Sequence, residues 1–186
     1  MRRLLLMLMF VGVLALPASA IDFYISPDVP TDDPATLATI LLPWEIVLVN
    51  TVVGTYVPVW SMPPTVALDA LHQTCAGDWL FSVEAPTDLG GTTYLPYDVI
   101  RVDAAATYSY FFCGAAVGIP PGADVDAAFL TPPGDNGDLI LSFDVPVDLT
   151  TLGGGLYEPA DLVHFAQMSP GCGGWVPLAV PYFDAS

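Results

Sequence analysis

The chain has 186 residues, 54% of them hydrophobic, and carries 20 acidic side chains against three basic ones for a formal charge of −17. That charge excludes nucleic acid and anionic membrane surfaces as partners, because both would repel it. The apolar content excludes the disordered acidic class, since disorder requires low hydrophobicity as well as net charge.

Arg2 and Arg3 open the chain, Leu4 to Leu16 is an unbroken run of apolar residues and Gly, and Pro17-Ala18-Ser19-Ala20 ends it with small residues. This pattern predicts a signal peptide over 1–20, cleaved after Ala20, and hence a secreted or periplasmic protein. A run of 13 residues is too short to span a bilayer as a helix, so an integral membrane protein is not expected. All 20 acids follow the leader, where Arg101 is the one base.

Residues 21–186 read as one all-β repeat domain, with short runs of Val, Ile, Leu, Phe, Tyr and Trp separated by Pro, Gly, Thr and Asp. Four blocks recur in the same order. The first, Ser-x-acid-apolar-Pro-x-Asp, occupies 26–32, 82–88 and 142–148. The second, Pro-x-acid before an apolar strand, starts at Pro43, Pro96 and Pro159. The third is aromatic and begins at Thr55, Thr107 and Trp175. The fourth ends in Asp-Ala at Asp69-Ala70 and Asp126-Ala127, and Phe183-Asp184-Ala185-Ser186 matches its start.

The units are therefore about 22–71, 78–128 and 138–186, each with four strand-length segments. Repeated four-stranded antiparallel meanders are the signature of β-propeller blades. Three blade-like units are too few for the usual ring. Copies then associate, or the chain is truncated, or the units form an open stack or β-sandwich. Asn136-Gly137 predicts a tight hairpin turn, and Gly90-Gly91 and Gly153-Gly154-Gly155 read as turns.

Three cysteines stand at 75, 113 and 172. Loops between alternate strand pairs of a meander fall at one end of the sheet, so Cys75 and Cys172 share an end, which predicts a disulfide between them. The alternative is Cys75 with Cys113.

Repetition also sorts the chemistry, because a catalytic site needs one asymmetric constellation. Ser26, Ser82 and Ser142 recur and read as strand or turn hydroxyls; His72 and His164 read as strand side chains. No nucleophile elbow, zinc-protease or phosphate-loop motif occurs, and no catalytic or cofactor-binding residue is assigned. The acids carry the one functional hint. Asp28, Asp32, Glu84, Asp88, Asp144 and Asp148 form a candidate Ca²⁺ set, since that ion takes six to eight oxygen ligands. The competing reading is that such carboxylates bond their own turns and keep an apolar repeat from aggregating. Trp44, Trp60 and Tyr97 are candidates for contact with a carbohydrate or protein ligand, against packing in core or turns.

DALHQTCAGDWLFSVEAPTDLGG from Asp69 and YEPADLVHF from Tyr157 resemble repeats of uncharacterised exported bacterial proteins of propeller-like type. The resemblance covers most of residues 22–186 and implies an extracytoplasmic β repeat; it carries over no catalytic residue. The expectation is a non-enzymatic exported protein with a structural or binding role, open to calcium stabilisation and to self-association. The rival is a secreted carboxylate-dependent hydrolase or lyase. It would show one carboxylate pair in a single cleft, differing from its repeat equivalents.

Overall fold

The computed structural model describes residues 22–25, 31–32, 40–51, 53–131, 137–159, 161–169 and 171–178. The leader, the hairpin at Asn136, Asp28 and the 183–186 block lie outside them. The fold is all-β, in several antiparallel sheets.

Unit 1 is a three-stranded sheet of β1 (Asp22–Ile25), β4 (Glu45–Asn50) and β5 (Thr55–Ser61), in that spatial order. A two-stranded hairpin, β2 (Thr31–Asp32) with β3 (Ile40–Leu41), is inserted between its first two strands. Unit 2 adds a strand at the front. β6 (Leu68–Gln73), β7 (Trp79–Val83), β10 (Val99–Val102) and β11 (Tyr108–Phe112) pair as a meander, with the inserted hairpin β8 (Thr87–Leu89) and β9 (Thr92–Tyr94). One four-residue helix, α1 (Gly114–Val117), leads to unit 3. There β12 (Val125–Leu130), β13 (Leu139–Phe143), β16 (Val163–Gln167) and β17 (Trp175–Pro177) repeat the meander, with β14 (Val147–Asp148) and β15 (Leu156–Tyr157) as the hairpin. The sheets are repeat-like, but β6 and β12, which the sequence reading places at the ends of units 1 and 2, pair with the strands that follow them and are counted here with units 2 and 3. Among the described residues no helix is long and apolar enough to cross a membrane.

The central strands show why the units lie side by side. Every residue of β7 and of β13 is buried. Successive side chains of a strand point to opposite faces, and in β7 the two faces join different cores. Trp79, Phe81 and Val83 pack with Ile46, Met62 and Val66 of unit 1 and its flank. Leu80 packs with Leu139, Leu141 and Phe165 of unit 3. The middle sheet is therefore covered on both faces. The outer strand β5 is instead mostly exposed, and Pro58 lies in it at a register shift against β4. A residue without an N–H is tolerated on an edge and discourages further pairing there.

The disulfide joins Cys113 to Cys172, not Cys75 to either; Cys75 is exposed and outside the bond. Loop parity decides which cysteines meet only where the strands lie in flat sheets. Real sheets twist by roughly 20–25° per neighbouring strand, so the end of an outermost strand points sideways towards the next unit. Phe111 at the end of β11 meets Trp175 with ring centroids 5.4 Å apart, and Phe112 meets Phe165 at 5.0 Å. The Cys113 N–H donates to the Cys172 carbonyl at 3.0 Å. The bond closes a sequence separation of 59 residues and pins unit 2 to unit 3. A disulfide fits an oxidising compartment.

Candidate functional site

The repeated carboxylates divide by what they bond. Glu45, Asp98 and Asp161 each end a four-residue turn begun by Leu42, Leu95 and Glu158. In all three the acid's own N–H donates back to the first residue's carbonyl, at 2.9, 2.9 and 3.0 Å. In all three the carboxylate accepts the first residue's N–H at 2.9 Å. Pro at the second position pre-sets φ for such a turn. Asp98 also accepts from the Gly114 N–H at 2.9 Å, and burial pushes its carboxyl above the usual range.

In the inserted hairpins Asp88 accepts from the Gly91 N–H at 3.0 Å. Gly90 and Gly91 both have positive φ, as a tight hairpin turn requires. Asp148 accepts from the Thr150 N–H and hydroxyl at 3.0 and 2.6 Å, and these bonds hold its carboxyl below the ordinary range. A third position pairs across the second and third strands of the meander. Asp78 bonds Arg101, and the equivalent Asp138 bonds His164 at 2.8 Å.

Of the candidate calcium ligands, Glu84, Asp88, Asp144 and Asp148 are all exposed; Asp28 and the Asp32 side chain lie outside the described residues. No group of three or more His, Cys, Asp or Glu side chains suited to a metal comes together among the described residues. The candidate aromatics belong to the packing. Tyr97 is buried, and Trp44 and Trp60 are half-buried against the unit 1–unit 2 core. A Cβ at Gly114 would stand 2.4 Å from both the ring and the carbonyl of Tyr97. That close approach requires glycine there.

One place departs from the repeat. A cleft of about 410 Å³ lies between units 2 and 3, walled by Glu84, Leu95, Pro96, Tyr97, Pro121, Asp124 and Asp144 among others. Its walls are held by backbone. The Val125 N–H donates to the Pro96 carbonyl at 3.2 Å, and Asp124 and Asp144 exchange two bonds across the β12–β13 end. Ser82 ties the same seam from inside: its hydroxyl accepts the Ala70 N–H and donates to the Val125 carbonyl, both at 2.7 Å.

Asp124 is the unusual group. Its Oδ1 is buried without a hydrogen-bond partner. Burial first, then the charges of Asp69, Asp144 and Asp126, push its carboxyl up to about 7. Its counterpart in unit 2 is Ala67. A search for recurring acids passes over it; the available signal was an acid where the repeat has alanine. Glu84 also borders a second cleft of about 280 Å³ with Asp69.

Comparison with family models, with curated proteins and with solved structures finds no match to this chain.

Proposed function

We propose that this is an exported β-repeat protein of the propeller type, with a binding role and with the cleft between units 2 and 3 as its contact point. One observation carries the reading. The recurring acids Glu45, Asp98 and Asp161 are taken up by their own turns, and Asp78 and Asp138 by cross-strand partners. Two further recurring acids, Glu84 and Asp144, instead line one concave seam together with Asp124, which stands where unit 2 has Ala67. Clefts with apolar walls and a few convergent polar groups are where small ligands bind. The side-by-side packing of like sheets supports the propeller arrangement, and the disulfide supports export.

The test is a thermal-shift screen of the secreted protein with neutral and amino-bearing oligosaccharides and short peptides. The reading expects a ligand that raises the midpoint, with the rise abolished by Glu84→Gln and Asp144→Asn. A rise that survives both variants overturns it.

Asp124 favours a second reading, the carboxylate-dependent hydrolase. A carboxyl held protonated near neutral pH suits a general acid. Turnover of a glycoside or polysaccharide that is lost in Asp124→Asn would replace binding with catalysis.

A further inference from the structure

The cleft between units 2 and 3 has a one-sided chemistry. Three carboxylates line it: Glu84 follows β7, Asp144 follows β13 and Asp124 precedes β12. Its walls hold no Lys, Arg, His, Ser, Thr, Asn or Gln, and the buried Tyr97 has the one side-chain hydroxyl among them.

The backbone of the same walls is short of donors. Pro86, Pro96 and Pro121 have no N–H. The N–H groups of Glu84, Ala123 and Asp144 donate to the carbonyls of Ala67, Pro120 and Asp124, at 3.3, 3.2 and 3.2 Å. Those of Leu95 and Asp124 donate to the carboxylates of Asp98 and Asp144, both at 2.9 Å. The walls therefore offer chiefly acceptors, and one of these, the buried Asp124 Oδ1, has no partner at all.

We propose that this cleft takes an organic cation, an ammonium group on an apolar stem; the inference rests on the binding role given to the cleft above and names the class of its ligand. An ammonium brings three donors and no acceptor, so it matches an acceptor-rich wall, whereas a hydroxyl brings acceptors that find few donors there. Leu95, Pro96 and Pro121 supply apolar surface for the stem. The chain supplies no cation of its own, since Arg101, the one base after the leader, is held by Asp78. Among the described residues no three acids converge as metal ligands, which suits an organic cation over a metal ion. Burial first, then the charges of Asp69, Asp144 and Asp126, push the Asp124 carboxyl up, and a neighbouring cation acts in the opposite direction.

The test is a nuclear magnetic resonance titration of the secreted protein, followed at the Tyr97, Gly122 and Ala123 amides. The probes are hexylamine and Nα-acetyl-lysine-N-methylamide. Their neutral counterparts are hexanol and the same lysine derivative acetylated at Nε. At least one amine is expected to shift the cleft amides saturably, hexylamine alone marking a free alkylamine as the ligand and the lysine derivative a peptide side chain. The neutral molecules are expected to bind about tenfold more weakly or not at all. Glu84→Gln is expected to weaken the amine about threefold or more. Glu158→Gln, which removes an equal charge outside the cleft, is expected to leave it unchanged.

Equal binding of each amine and its neutral counterpart overturns the inference and leaves the cleft a binding site. Equal loss in both variants also overturns it, because the attraction is then to net charge. A cleft that answers to none of the four molecules, yet binds a ligand of the oligosaccharide and peptide screen, overturns the cation alone. An empty result in both experiments overturns the binding role with it.

Discussion

The two seams of the molecule are built differently from the same unit. Between units 1 and 2 the core is apolar, Ile46, Met62 and Val66 meeting Phe81, Ile100 and Val102 with Trp44 and Trp60 at the margin, and the Leu68 N–H donates across it to the Pro43 carbonyl at 3.2 Å as Val125 does to Pro96 in the next seam. Among the described residues no disulfide crosses this first seam. Between units 2 and 3 an apolar core is joined by the Ser82 bridge, the Cys113–Cys172 bond and the cleft with Asp124. The turns within the units are alike in both places. The difference shows that individuality in this repeat is placed between units, where neighbouring sheets can bring together groups that no single unit holds.

The largest test of that contrast is deletion of core volume on each side. Phe81→Ala empties a fully buried ring site in the first seam and is expected to cost about 3–5 kcal/mol. Phe165→Ala does the same in the second. Chemical denaturation measures both, and equal costs would indicate that the two cores are comparably packed.

Removing the disulfide with Cys113→Ser/Cys172→Ser is expected to cost about 2–5 kcal/mol, because a long loop is released in the unfolded chain. Amide exchange should rise around Phe112 and Trp175 and stay unchanged at Ile46. Uniform loosening of both seams would contradict the assignment.

A smaller effect follows pH. The folded-state carboxyl of Asp124 is raised to about 7, against about 3.9 in an unfolded chain. The folded state therefore holds this proton more tightly. Its contribution is present below about pH 4 and is lost as pH rises towards 7. Asp69, Asp126 and Asp144 are the charges that act on it. Asp124→Asn should be more stable than the parent at pH 8 and no more stable at pH 4, in melts run at both. An equal gain at both pH values would mean that the seam does not set the proton. The smallest expected effect is that of chelation: a melting midpoint that EDTA leaves in place, since Asp88 and Asp148 already bond their turns. A fall in EDTA would favour the calcium reading.

What was legible in the sequence was local. Pro-x-acid turns, the Gly90-Gly91 hairpin and the strand order within a unit depend on residues close in the chain, and each was read from spacing. The cysteine pairing was not, because it depends on how twist turns the end of β11 towards the next sheet. Asp124 was not, because its environment comes from two units and its neighbours in sequence do not reveal it. For the aromatics at 44, 60 and 97 residue type alone leaves ligand contact and packing both open, and the structure places them in packing.

The account rests on shared carboxylates that serve the architecture of every unit alike. Amide hydrogen exchange at Leu42, Leu95 and Glu158, measured in Glu45→Ala, Asp98→Ala and Asp161→Ala, tests it most directly. The expected result is loss of protection at the one amide whose acceptor was removed, in each variant in turn. Protection that persists in any of the three would contradict it.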